Sequence, residues 1–285
     1  MDSTDIHKYP DRRHADESRR LEIQARLALD ALGGKLLHCP LDLSRPGLRI
    51  LDSATANGHF LYSLRSELAD PESAELIGTD ILPFDTIGLP PNITLSKQDI
   101  HAEWPSDWAG TFDLVHQRTA LTMTGTRERA VDAVRRLILL AKPGGWVQLV
   151  DGWMPSDEVQ QNDPPATKLM KVMQFGLKKM GFDATIGKEA GEILAEAGQG
   201  LLQNLGSLNV VSPCGKGAAT KELEEMGYEQ LQGLHGAAMF MLNRMPEEER
   251  PIPLEEFENL LQDILSQARE GEATLNWSAA WAQRI

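Results

Sequence analysis

Five polar residues of this chain fall at one kind of place, the carboxyl end of a short apolar run. Asp52 closes Leu48-Arg49-Ile50-Leu51-Asp52, Asp80 closes the run from Ala74, and Asp99 comes just after Ile93-Thr94-Leu95-Ser96. His116 closes Phe112-Asp113-Leu114-Val115-His116, and Asp151 follows Trp146-Val147-Gln148-Leu149-Val150. A carboxylate at the second of these ends can accept hydrogen bonds from both hydroxyls of a ribose, which gives Asp80 a role. Asp99 can accept from an exocyclic adenine amine while Ile100 packs on the ring face. Acids at three successive strand ends therefore point to an adenosine site. Between Asp52 and the next helix lies Ser53-Ala54-Thr55-Ala56-Asn57-Gly58, a turn of small residues that lets backbone approach a ligand closely. It lacks glycine at two positions where a dinucleotide fingerprint requires it, which disfavours a pyrophosphate.

These residues need elements to hold them. Leu48 to Asp52, after Pro46-Gly47, reads as a buried strand, and Phe60, Leu61, Leu64 and Leu68 mark one face of a helix over 58–68. Further strands are predicted at 74–80, 93–96, 112–116 and 146–150. Pro83 and Pro90-Pro91 break the chain before the third strand, a helix spans about 127–141, and Lys142-Pro143-Gly144-Gly145 is a turn signal. Strand and helix alternate over 48–151, the signature of a parallel, doubly wound α/β sheet. Such sheets bind ligands beyond the carboxyl ends of their strands, where the strand order reverses. Upstream, Leu21, Ala25, Ala28, Leu29 and Leu32 give an amphipathic helix from about 16 to 32, ended by Gly33-Gly34, and the first ten residues are expected to fray. Downstream come helices over 164–180, 188–198, 218–245 and 254–269, with strands at 208–211 and 274–281. No linker or repeat interrupts the chain, so a single domain with helical additions is expected over 1–285.

Composition narrows the function classes. With 41% hydrophobic and 25% charged residues the chain can bury a sizeable core, and no apolar run approaches the roughly 18 residues of a membrane span. A formal charge of −14 argues against a nucleic-acid backbone as partner. The polar start carries no secretory signal, and two distant cysteines, Cys39 and Cys214, suggest no disulfide framework. A cytoplasmic protein acting on a small molecule, with no nucleic-acid or membrane partner, is expected; a homodimer or a protein partner is left open. Metal-ligand spacings, a nucleophile elbow and a phosphate loop are all missing from the sequence, so no metal is expected.

The runs Leu51 to Gly58, Gly78-Thr79-Asp80-Ile81, Phe112 to Arg118 and Lys142-Pro143-Gly144-Gly145-Trp146 together resemble the class I methyltransferases, and more narrowly the fungal LaeA-like group of secondary metabolism. The resemblance extends from near Arg19 to the last strand. It implies a Rossmann-like sheet of seven strands, the last antiparallel, with S-adenosylmethionine (SAM) as cofactor at the strand ends. On this sequence the cofactor loop would be Asp52, Ser53 and Ala54 through to Gly58, with Asp80 and Ile81 at the ribose and Asp99 and Ile100 at the adenine. His116 and Gln117 would line the methionine end. The chain then divides into an N-terminal helical segment (1–45), a SAM-binding core (46–155), a helical substrate cover (156–200) and C-terminal strands and helices (201–285). The implied activity is O- or N-methylation of a small, largely apolar natural product. Two alternatives stay open: a cyclase or isomerase on the same scaffold, motivated by Ala54 and Ala56 where related enzymes carry glycine, and a LaeA-like regulatory subunit without catalysis. Alanine fits the loop if both residues keep negative φ.

His116 and Asp151 are the candidate catalytic residues, His116 as a base or cofactor contact and Asp151 as a group meeting the acceptor; each could equally serve as a structural hydrogen-bonding group. Arg118 could pair with Asp113, with Asp80 or with a substrate carboxylate, an internal salt bridge being the favoured reading. His59 and His235 read as structural. The methionines at 170, 173, 180, 239, 241 and 245 read as core, with an adaptable apolar pocket as the alternative, and Glu247-Glu248-Glu249 as a solvated turn.

Overall fold

A computed structural model describes residues 15–82 and 89–285, the first three as backbone only. The expected fraying of the first ten residues and the break at Pro83 lie outside the described residues. The elements run in the order α1 (Ala15–Ala31), β1 (Arg49–Ser53), α2 (His59–Arg65), β2 (Glu75–Asp80), β3 (Ile93–Lys97), β4 (Phe112–Arg118), α3 (Arg127–Leu140), β5 (Ala141–Trp153), α4 (Pro165–Lys179), α5 (Ala190–Ala197), β6 (Leu202–Pro213), α6 (Lys221–Leu242), α7 (Leu254–Glu270) and β7 (Thr274–Arg284). A short 3-10 turn at Leu121–Thr124 follows β4, and another at Ile186–Glu189 leads into α5.

All seven strands form one sheet in the order β3-β2-β1-β4-β5-β7-β6. β1 pairs in parallel with β2 and β4, whereas β7 runs antiparallel to both β5 and β6. Strand order reverses at β1: the chain winds outward through β2 and β3, then returns to β4 on the other side. That reversal opens a crevice at the carboxyl ends of β1 and β4, where open parallel sheets take their ligands.

Helices cover both faces, which is why the central strands read as continuous apolar runs rather than alternating ones. Ile50 and Leu114 face Phe60, Leu61 and Leu64 of α2, while Leu51, Val115 and Val147 face Val134, Leu137 and Ile138 of α3. On the α2 side, beyond β5, α1, α4, α6 and α7 form a second cluster over Val150, Trp277 and Ala279. Met170 and Met173 are buried in this cluster, and Met239, Met241 and Met245 pack against it. His235 is buried there too, stacked on Phe257 at 4.8 Å between ring centroids and 2.9 Å from the Phe257 carbonyl through Nε2.

Two elements depart most from the sequence expectation. β5 begins at Ala141, so the turn expected at 142–145 lies inside it as an irregularity, with Gly144 at φ 82° and a register shift opposite Phe112 and Leu114. β6 runs from 202 to 213 rather than 208–211, because its polar first half pairs with β7 at the sheet edge.

Candidate active site

The turn after β1 is drawn under the end of β2. Thr55 N donates to the Thr79 carbonyl at 2.9 Å, and Ala56 N donates to Asp80 Oδ2 at 3.0 Å. Leu82 N donates to Asp80 Oδ1 at 3.0 Å. Each Asp80 oxygen thus accepts one backbone hydrogen bond and keeps a lone pair. Thr55 tucks its side chain inward, donating to Asp52 Oδ2 at 2.6 Å and lying over Gly78. A Cβ on Gly78 would stand 2.7 Å from Thr55 Cγ2 and 2.5 Å from Leu95 Cδ2, so only glycine admits this packing.

The condition on the alanines is not met. Ala54 has φ 57° and Ala56 φ 51°, both left-handed, so the loop keeps the backbone path of glycines without having them. Tertiary hydrogen bonds from Thr55 N and Ala56 N overrule local preference. Left-handed alanine costs about 1–2 kcal/mol per residue. Four non-glycine residues among those described have positive φ, and three of them, Ala54, Ala56 and Thr119, line one cleft. Strain of this kind gathers where a site over-determines the backbone.

That cleft, open to solvent, lies at the β1–β4 reversal and is lined by Leu21, Gln24, Asp52, the 54–57 turn, Arg118 and Thr119. Leu21 and Gln24 make α1 one wall of it, a role its sequence did not reveal. Thr119 has a left-handed φ of 52°, uncommon for a β-branched residue. Nothing in the sequence signals that conformation.

His116 lies behind the cleft rather than in it. It pairs in register with Asp52, is 1% exposed, and stacks on Phe60 with 3.6 Å between ring centroids. Its Nδ1 is 2.7 Å from Asp52 Oδ1, so both Asp52 oxygens are engaged, one by His116 and one by Thr55. Burial pushes the His116 pKa down, opposed by the hydrogen bond and charge of Asp52. A neutral imidazole donating from Nδ1 to the carboxylate follows.

On the opposite face, Gln117 donates from Nε2 to Ser53 Oγ at 3.2 Å, while its buried Oε1 has no partner among the described residues. Asp151 Oδ2 accepts from Ala120 N at 3.0 Å and Leu121 N at 2.9 Å, capping the turn after β4. Burial raises the Asp151 carboxyl to about 7, against the backbone hydrogen bonds that favour its ionised form. Asp99 Oδ1 accepts from His101 N at 2.8 Å, and Asp99, Ile100 and Ile81 are all half-buried. Asp80, Ala54 and Ala56 thus lie close about the β1 turn, Gly58 ends it at φ 76°, and Asp99 and Ile100 stand one strand further out.

The internal salt bridge favoured for Arg118 does not form. Asp113 is occupied by Lys142, by Arg45 Nη2 at 3.1 Å and by Arg49 N at 3.1 Å, at the far end of β4.

Comparison with known proteins gives this chain a family. The chain is 34% identical over 269 residues to the N-methyltransferase sirN of Leptosphaeria maculans, covering 94% of this chain and 92% of that protein. The chain belongs to this family of fungal methyltransferases. The methyltransferase is also 30% identical over 272 residues to the N-methyltransferase gliN of Aspergillus fumigatus, with 94% and 93% covered, and 32% identical over 277 residues to verN of Clonostachys rogersoniana. No family model matches the chain. Its fold is the class I methyltransferase fold. A chain in the complex between a Haloferax volcanii methyltransferase activator and a methyltransferase shares that fold at a TM-score of 0.52 and 12% identity, over 94% of this chain and 95% of that one.

Proposed function

We propose that this methyltransferase transfers the methyl group of SAM to a nitrogen of a small, largely apolar natural product. The observation that carries the reading is the β1 turn, held in a left-handed path by Asp80 and opening on a cleft at the strand reversal. The nitrogen acceptor is supported by relatives named as N-methyltransferases along nearly their whole length. We further place the chain in the LaeA-like group of secondary metabolism, on the strand-end motifs and on its fungal relatives.

The residues present fit the cofactor. Asp80 has two acceptor positions left for the ribose diol, Ile81 stands beside it, and Asp99 with Ile100 lies at the next strand end for the adenine. The left-handed turn carries no side chain larger than Asn57 into the cleft wall it forms. SAM supplies an activated methyl on a sulfonium, so the chain need only align an acceptor with it. Ser53 and Gln117, joined to each other, brace the turn from the far face. His116, enclosed by Phe60 and Asp52, fixes the Asp52 carboxylate and through Thr55 the turn itself. Asp151 holds the β4 end in place. In this reading both act by positioning, and a proton lost from the acceptor nitrogen passes to solvent.

The reading takes the chain as one domain, with residues 156–200 covering the acceptor. Cys39 and Cys214, both buried as free thiols, suit a reducing cytoplasmic setting.

The test is product mass. Incubation with methyl-labelled SAM and a panel of small apolar amines, amides and indoles should give a product carrying one labelled methyl on nitrogen. A product of unchanged mass from such substrates would put a cyclase or isomerase in its place.

A further inference from the structure

Arg118 is a cation recessed at the active-site cleft with no counter-ion among the described residues. It lies two residues past His116 on β4, so strand alternation sends its side chain to the same face as His116 and Asp52. β1 pairing ends at Ser53 and Gln117, which leaves Arg118 beyond the end of β1, beside the 54–57 turn and the α1 residues Leu21 and Gln24. No hydrogen bond or ion pair joins its guanidinium to any described residue. Burial pushes its pKa below the ordinary arginine value, and the charge of Asp52 opposes this without contact.

The acids around it are already committed. Asp52 accepts from Thr55 and His116. Glu22 of α1 faces Arg19 at 3.5 Å and Arg26 at 4.0 Å. Burial and the positive charge of Arg118 both push the His59 pKa down. Recessed charges in native proteins are paired, because an unpaired one loses hydration without gaining a partner. A guanidinium left open toward a cleft fits a planar two-oxygen anion, which its fork binds with two parallel hydrogen bonds.

We propose that Arg118 receives the α-carboxylate of the amino-acid end of the cofactor. This rests on the SAM reading of the same cleft. Within one cleft, the Asp80-tethered turn takes the nucleoside and Arg118 takes the carboxylate, so the sulfonium sulfur between them is fixed from both ends. The guanidinium thereby selects SAM over adenosine ligands that lack a carboxylate. A carboxylate carried by the acceptor has the same chemistry, and the experiment separates the two sources.

Isothermal titration of the wild-type protein and of Arg118→Met uses two probes: S-adenosylhomocysteine (SAH) and its decarboxylated form, S-adenosyl-3-thiopropylamine, which keeps the amine. Wild type should bind SAH about 10- to 100-fold more tightly than the decarboxylated ligand, the usual worth of hydrogen bonds to a charged group. Arg118→Met should weaken SAH by that factor, leave the decarboxylated ligand unchanged and so erase the preference. Arg118→Lys should fall between, keeping the charge but losing the fork. Equal binding of both probes by wild type overturns the proposal and leaves the SAM reading standing; it is also the pattern expected if the guanidinium serves an acceptor's carboxylate. A preference that survives in Arg118→Met, or an equal loss for both probes, overturns it as well. Binding of neither probe by folded wild-type protein removes the SAM reading and this proposal together.

Discussion

Replacing Ala54 and Ala56 with glycine should make this methyltransferase more stable, against the usual effect of adding glycine. Both residues sit at positive φ, 57° and 51°. That conformation costs a residue with a Cβ roughly 1–2 kcal/mol. Glycine removes the strain but adds freedom to the unfolded chain, offsetting about 0.5–1 kcal/mol of the gain. Each single substitution should therefore stabilise by about 0.5–1 kcal/mol. For a chain of this size 1 kcal/mol corresponds to roughly 2–4 °C in Tm. The double variant should melt about 2–6 °C above wild type, short of full additivity because the two residues share Thr55 and its hydrogen bonds. Thermal melting followed by circular dichroism reads this directly. Variants that melt at or below the wild-type temperature would refute the reasoning, since they would show that the turn holds no strain for glycine to release.

Other perturbations test neighbouring parts. Asp80→Ala removes the acceptor for Ala56 N and Leu82 N as well as that proposed for the ribose; SAH affinity should fall by at least about 10-fold and stability by roughly 1 kcal/mol, read by calorimetry and urea unfolding. Gly78→Ala places a Cβ 2.5 Å from Leu95 Cδ2 and 2.7 Å from Thr55 Cγ2, and should cost about 1–3 kcal/mol in unfolding free energy while weakening SAH binding. Asp151 has a carboxyl raised to about 7 by burial, from 3.8 in its unperturbed state. The folded state therefore binds this proton more tightly than the unfolded state, and stability falls as pH rises through that window. Asp151→Asn keeps an oxygen for Ala120 N and Leu121 N but cannot ionise; its stability relative to wild type should grow by a few kcal/mol between pH 4 and pH 8 in urea unfolding, and an unchanged difference across that range would argue against a raised carboxyl.

The order of strands and helices from 48 to 151 was legible because buried parallel strands appear as apolar runs and the breaks between them carry Gly and Pro. The strand-end residues were legible in part: Asp80 ends β2, whereas Asp52, His116 and Asp151 lie buried one or two residues inside their strands. Their orientations were not. β4 is buried on both faces, so nothing in its sequence tells which face takes His116 and which takes Gln117. Only the packing of Phe60 from α2 shows that the histidine ring is enclosed. The handedness of the β1 turn was hidden because Ala54 and Ala56 disfavour positive φ locally, and the hydrogen bonds imposing it come from Thr79 and Asp80, one strand away. β6 was underestimated because its first half is polar and exposed, as an edge strand can be, and gives no hydrophobic period. Arg118 was noticed for its type, but its missing partner could be recognised only once Asp113 was seen at the other end of the strand, bound to Arg45, Arg49 and Lys142.

Isothermal titration of the folded, wild-type protein with SAH tests the central claim most directly. One saturable site per chain with micromolar or tighter affinity is expected, weakened at least about 10-fold by Asp80→Ala. A folded protein that releases no binding heat with SAH or SAM, and whose melting temperature neither ligand raises, would contradict it.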